Sequence, residues 1–200
     1  GMNIQGITLG EMGYRSPPNE TLEGIPMPFM LREVLAHSSN LADVRRIIKS
    51  AIGTNSYVFL MTDGKTKESE LYVKDRDRFL VFQAGTHVKD TKEDLPAIAN
   101  ISYGGRYNAK MTEVLNSFHG RITPEIMMKE IIPQIVMPSN FQNVIYQPGQ
   151  LRFWVSNAAD KYSRAAEAPY TLFDFGAGLK EFLSEEPPLI SADSGARDRS

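Results

Sequence analysis

Short runs in which apolar and polar residues alternate, the pattern of half-buried β-strands, occur in three parts of the chain. The first run covers residues 4–12 and places small residues, Gly6, Thr8 and Gly10, along one side. The second part predicts an antiparallel meander of three strands, and the third predicts a hairpin followed by one more strand. These six strands are predicted at Ser56–Thr62, Glu70–Lys74, Phe79–Gln83, Phe141–Tyr146, Gln150–Ser156 and Thr171–Phe175.

Apolar residues at helical spacing fill the intervals between the strands. Asn40 is a predicted N-cap, and Pro124 occupies the first position of a helix that Pro133 is expected to kink or end early. Residues 14–28 contain too many prolines and glycines for regular structure. The predicted helices cover residues 29–36, 40–51, 107–118, 123–135 and 179–183.

The order of these elements indicates the fold class. Strands, paired helices and further strands follow one another without a regular βαβ alternation, which predicts an α+β fold with antiparallel sheet covered by helices. The 200 residues, 42% hydrophobic and 23% charged, are typical of one globular domain. We expect this domain to cover residues 1–186 and the polar residues 187–200 to form a disordered tail.

Charge and cysteine content exclude several classes of function. With 22 basic and 24 acidic residues the net charge is −2, so we expect no nucleic-acid partner. No apolar run approaches the ~18 residues that span a bilayer, and we predict no membrane span. The chain has no cysteine, which excludes disulfides, thiolate zinc sites and a cysteine nucleophile from this chain itself. His37, His87 and His119 lack partners at metal-ligand spacing, and we predict neither a metal nor a cofactor.

Four local patterns follow one another in order. They are Gly1-Met2-Asn3-x-x-Gly6-Ile7, Gly24-Ile25-Pro26 before a helix pair, Asn55-Ser56-Tyr57-Val58 with Asp63-Gly64, and the hairpin Ser139–Ser156. In this order and spacing they resemble the acyl-CoA:6-aminopenicillanate acyltransferase family, the autoproteolytic relatives of penicillin acylases and bile-salt hydrolases. The resemblance extends over residues 1–176.

The resemblance implies an N-terminal-nucleophile fold, an αββα sandwich of two antiparallel sheets between helix layers. In that family a cysteine freed by autoproteolysis attacks a linear amide, with its own α-amino group as the base, and it lies upstream of the Gly-Met-Asn strand. Residue 1 here is glycine. We therefore expect the larger part of an amide hydrolase or acyltransferase, incomplete at its N-terminus and without its nucleophile, that acts on a small amide or acyl substrate.

The resemblance also assigns two donors for the oxyanion of an acyl-transfer transition state. One is the backbone N–H of Gly13 or the adjoining Tyr14, and the other is the side-chain amide of Asn100. Asn100 is equally well interpreted as a turn residue at the end of a strand. A rival for the second position is Gly104-Gly105, where two glycines either let the backbone approach a ligand or simply separate a strand from a helix.

The predicted substrate-binding residues are Tyr14 and Arg15, at the end of the opening strand, and Tyr103, beside the glycine pair. We expect them to line an acyl or amine pocket, although a loop arginine is also explained as a solvated charge.

A second hypothesis is a non-catalytic binding or assembly module. A sandwich without its leading strands would expose unpaired sheet edges, which invite either a homodimer partner or a missing N-terminal segment. A third is cleavage at Gly53-Thr54 or Gly85-Thr86, which would create a terminal threonine nucleophile.

Overall fold

A computed structural model of the chain describes residues 1–13, 20–89, 94–105 and 107–184. Within these residues the chain forms two antiparallel sheets accompanied by helices, which confirms the predicted α+β class. The strands are β1 (Ile7–Gly13), β2 (Tyr57–Asp63), β3 (Glu68–Lys74), β4 (Phe79–Gln83), β5 (Gln142–Gln147), β6 (Arg152–Asn157) and β7 (Thr171–Asp174). The helices are α1 (Met27–His37), α2 (Leu41–Ser50), α3 (Asn108–Phe118), α4 (Pro124–Ile126), α5 (Ile132–Ile135) and α6 (Phe175–Ser184). The tail predicted at 187–200 lies outside the described residues.

The first sheet is an antiparallel meander in the order β1-β2-β3-β4. β1 pairs with β2 over its whole length, from Ile7 opposite Asp63 to Gly13 opposite Tyr57. The predicted meander is therefore confirmed and is extended by one strand at its β1 side. β1 begins at Ile7 rather than Ile4, because Gly6 adopts a φ of +72° in a turn that reverses the chain.

Helices α1 and α2 cover one face of the first sheet, which we call the α1–α2 face. Helix α2 begins after the predicted N-cap, since Asn40 Oδ1 accepts a hydrogen bond from Asp43 N–H at 2.9 Å. The apolar stripe of α2 packs with α1 on alternate residues of the strands. The buried cluster on this face consists of Ile7, Leu9, Met30, Val34, Leu41, Val44, Ile47, Ile48, Ala51, Phe59, Met61 and Tyr72.

The opposite face of the first sheet packs against Val88, residues 95–103, helix α3 and the helical stretch from α4 to α5. Between α4 and α5, Met127–Ile131 form a π-helical turn, so the chain stays helical from Pro124 to Ile135. The predicted kink at Pro133 thus appears as a widened turn just before it, because proline has no N–H to donate to that turn. No helix in the described ranges is long and apolar enough to cross a membrane.

The second sheet has the order β5-β6-β7 and packs through Ile145 and Trp154 on the α4–α5 stretch. The two sheets meet where the β2–β3 turn contacts the β5–β6 turn. A Cβ on Gly64 would lie 2.8 Å from Pro148 Cβ, and closer still to the backbone of Pro148 and Gly149. Glycine is therefore required at this corner.

The asparagine of the Gly-Met-Asn motif attaches the start of β1 to helix α1. The Asn3 side-chain amide donates to the carbonyl oxygens of Leu35 at 3.1 Å and Ser38 at 2.8 Å. Its Oδ1 accepts from the backbone N–H groups of Gln5 and Ile7, both at 3.0 Å. Asn3 thus connects the turn before β1 to the C-terminal end of α1.

Candidate active site

The outer side of β1 has an occupied half and an unpaired half. Residues 1–3 fold back on the first half, where Leu9 N–H donates to Gly1 O and the Gly1 amino group donates to Leu9 O, both at 2.9 Å. The backbone groups of successive strand residues point alternately to the two sides, so Leu9, Glu11 and Gly13 share the outward direction. Among the described residues nothing pairs with the outward backbone of Glu11 or Gly13. We call residues 11–13 the open edge.

Gly13 is the exposed end of the open edge. It lies in one cross-strand row with Tyr57, Lys74 and Phe79, on the α1–α2 face. No described atom lies within 4 Å of the place where a Gly13 side chain would begin. Within the described ranges, the backbone N–H predicted as an oxyanion donor is therefore open to a ligand or to another strand.

The structure does not bring the two predicted donors together. Asn100 has a φ of +60° in a tight turn. This turn packs against Gly85, which follows β4. β4 begins in the cross-strand row of Gly13 and ends beside Gly85, so Asn100 and Gly13 lie at opposite ends of the sheet, at least about 13 Å apart along the strand direction. Two donors to one oxyanion must each lie about 3 Å from it, and Asn100 and Gly13 are too far apart to meet this condition. The position of Asn100 fits the alternative interpretation, a turn residue.

The glycine pair lies at the Gly13 end. A side chain on Gly104 would begin 3.1 Å from Met12 Cε, and one on Gly105 would begin 3.8 Å from Met12 Sδ. Met12 directly precedes Gly13, and its side chain lies on the face opposite the α1–α2 face, so residues 101–105 run along that face from the Gly85 end of the sheet toward the Gly13 end. Of the two candidates for the second donor, Gly104-Gly105 therefore lies nearer to Gly13 along the sheet than Asn100 does.

Tyr103 is buried, and its hydroxyl has two partners inside the protein. It donates to Pro96 O at 2.7 Å and lies 2.9 Å from Thr112 Oγ1. A surface cavity of about 670 Å³ adjoins these partners and is lined by Asp94, Pro96, Tyr107, Asn108, Ala109, Lys110 and Thr112. Tyr103 supports the wall of this cavity, and its role in substrate binding stays a prediction. Tyr14 and Arg15 lie outside the described residues.

Two titratable side chains that no sequence motif marks lie on the α1–α2 face near the open edge. Glu11 is half-buried, and burial raises the pKa of its carboxyl, for which no partner is found among the described residues. Lys74 is buried and donates from Nζ to Asp75 O at 2.7 Å. Burial lowers the pKa of Lys74, against the opposing effect of Asp75 and Asp77. In the described part of the chain no three acidic or histidine side chains form a metal site.

The two antiparallel sheets with their helices have the fold of the N-terminal-nucleophile hydrolases, as the sequence resemblance implies. Two solved structures of conjugated bile acid hydrolase from Clostridium perfringens are similar to the chain. An arginine-to-leucine variant is 13% identical, with a TM-score of 0.54 over 87% of this chain and 76% of that chain. A cysteine-to-alanine mutant is 12% identical, with a TM-score of 0.57 over 88% of this chain and 72% of that chain. No family model matches the chain, and no curated protein matches it in sequence.

Proposed function

We propose that this chain is the scaffold of an amide-bond hydrolase or acyltransferase whose reacting group enters beside the open edge. The observation that carries the proposal is the outward N–H of Gly13, at the exposed end of an edge strand with open space beside it. One such donor aimed at a developing oxyanion contributes about 2.7–4 kcal/mol to transition-state stabilisation. The similar solved structures are conjugated bile acid hydrolases, which supports hydrolysis as the reaction class.

In this proposal the Gly13 N–H is the first oxyanion donor, and the backbone at Gly104-Gly105 supplies the second. The nucleophile is a cysteine on a strand beside the open edge, released by autoproteolysis, because this chain contains no cysteine. Its sulfur attacks the carbonyl carbon of a linear amide, the C–N bond breaks, and the leaving amine takes a proton from the cysteine's α-ammonium group. Water or a second amine then accepts the acyl group.

The test uses the full product of the natural gene and a panel of acyl amides that includes a glycine-conjugated bile acid and an acyl 6-aminopenicillanate. We expect hydrolysis that iodoacetamide abolishes. Gly13→Pro removes the outward N–H without removing a hydrogen bond to β2, and it should lower kcat by about 100–1,000-fold. Gly13→Ala keeps the N–H and has room for its methyl group, so its kcat should stay close to that of the unmodified protein.

Three results contradict the proposal. They are no hydrolysis of any amide in the panel, hydrolysis that survives iodoacetamide, and equal loss in Gly13→Pro and Gly13→Ala.

The same open edge favours one alternative, a non-catalytic module that dimerises by pairing edge to edge. This alternative predicts an inactive gene product that forms dimers and slows amide exchange at Glu11 and Gly13 on dimerisation. Light scattering combined with amide exchange separates it from the enzyme hypothesis.

A further inference from the structure

The open edge has a defined direction of approach. Gly1 lies directly opposite Leu9, with both hydrogen bonds of the pair at 2.9 Å, and residues 1–3 run antiparallel to β1. A strand that enters in line with Gly1, on its amino side, therefore continues along the same edge. The second residue before Gly1 falls opposite Glu11, and the fourth falls opposite Gly13.

Glu11 sets a charge requirement for such a strand. Its side chain lies on the α1–α2 face, in the row of the fully buried Phe59, and no described residue pairs with its carboxyl. The other titratable groups described on this part of the face are the Gly1 amino group, Tyr57, Tyr72 and Lys74, and the Tyr72 hydroxyl donates to Glu70 Oε2 at 2.7 Å. The amino group of Gly1 and that of Lys74 donate to backbone carbonyls instead. Opposite charges across two strands stabilise their pairing and like charges oppose it, so a basic side chain is favoured opposite Glu11.

Gly13 sets a shape requirement. No described atom occupies the space above its Cα. The residue opposite Gly13 on β2 is Tyr57, whose ring centroid lies 5.7 Å from that of Phe59. An aromatic side chain opposite an edge glycine covers the exposed backbone and stabilises the pairing. The space beside Tyr57 therefore favours an aromatic side chain on the entering strand.

We propose that the open edge binds a β-strand in line with Gly1 that carries an aromatic residue opposite Gly13 and a basic residue opposite Glu11. The strand sequence thus reads aromatic-x-basic-x up to Gly1. This inference rests on the proposed function in that the same edge receives the reacting group, but its test requires no catalysis.

The test adds four residues, Trp-Thr-Arg-Thr, before Gly1 of the chain and measures backbone amide hydrogen exchange at Glu11 and Gly13. A matched extension, Trp-Thr-Glu-Thr, reverses only the charge opposite Glu11, and both extensions are repeated in Glu11→Gln. The arginine extension should slow exchange at both amides by at least about tenfold. The glutamate extension should slow it about fivefold less, which is the size of one cross-strand ion pair. In Glu11→Gln the two extensions should differ by less than about twofold.

No slowing with the arginine extension, or equal slowing with the glutamate extension, overturns the proposal. Slowing that rises with protein concentration also overturns it, because a second copy would then be the occupant. Gly10 exchange in each sample reports whether the sheet itself stays folded. Since the added residues contain no thiol, failure here leaves thiol-dependent hydrolysis by the gene product standing, and absence of that activity leaves the exchange result standing.

Discussion

Asn3→Ala removes four hydrogen bonds at once, the two that the side-chain amide donates to Leu35 and Ser38 and the two that Oδ1 accepts from Gln5 and Ile7. At ~0.5–1.5 kcal/mol each, their sum is about 2–6 kcal/mol. Asn3 is half-buried, and water can replace the exposed bond to Gln5, so we expect a loss of about 2–4 kcal/mol. In a protein of this size the midpoint of thermal unfolding should fall by roughly 4–16 °C.

Urea unfolding followed by circular dichroism measures this loss, with Asn116→Ala as the matched control. Asn116 makes one exposed hydrogen bond, from Nδ2 to Thr112 O at 2.9 Å, and alanine suits helix α3, so the control should change the free energy of unfolding by less than about 0.5 kcal/mol. Asn3→Asp keeps the acceptors but sets a negative charge against two carbonyls, and should cost at least as much at pH 7. An Asn3→Ala protein as stable as the control would refute the anchoring role of Asn3.

Three further changes test other parts of the structure. Gly64→Ala forces a methyl group into the backbone of Gly149 and should lower the free energy of urea unfolding by about 2 kcal/mol or more. Gly10→Ala is the control, because the space around Gly10 is open, and it should be near neutral. Equal effects of the two substitutions would contradict the contact at the corner. Tyr103→Phe leaves Pro96 O without its donor and should cost about 1–2 kcal/mol, and an unchanged urea midpoint would speak against that bond. Burial raises the pKa of Glu11 in the folded state above its ordinary 4.5. Between the unfolded-state pKa and the raised folded-state pKa, the folded state binds more protons than the unfolded state. The free energy of unfolding should therefore fall as the pH rises through that interval. Glu11→Gln should remove this part of the pH dependence, and identical urea titrations of the two proteins across that interval would count against burial of the carboxyl.

The strands were predictable from sequence because a period of two identifies both a strand and its buried face. The alternation of Ile7 and Leu9 with Thr8 and Gly10 places β1 and its α1–α2 face correctly, although its start was predicted three residues early. The error came from Gly6, because a left-handed turn residue and a strand glycine look the same in a sequence.

The candidate site was only partly predictable, because position along the chain does not reveal which end of a sheet a loop returns to. Asn100 and Gly104 are close in sequence, yet the segment that contains them runs along one face of the sheet, so one lies beside Gly85 and the other beside Met12. Contacts between distant segments were equally inaccessible. Asn3 belongs to the opening motif, but its partners at the C-terminal end of α1, Leu35 and the C-cap Ser38, lie 32 and 35 residues away.

Glu11 is a different case. Its position in the alternating pattern predicts the packed face, and nothing in the sequence indicates that its carboxyl lacks a partner there. Only the register of β1 against β2, with residues 1–3 covering the first half of the outer side, shows that Glu11 and Gly13 form an open edge.

Residue-resolved amide hydrogen exchange of the unmodified chain tests the open edge of β1 most directly. The N–H groups of Thr8, Gly10 and Met12 point to β2 and that of Leu9 to Gly1, so these amides should exchange slowly. The amides of Glu11 and Gly13 point outward and should exchange at least about tenfold faster than that of Gly10. If Glu11 exchanges as slowly as Gly10 in the monomeric chain, β1 has no open edge, and the site proposed there does not exist.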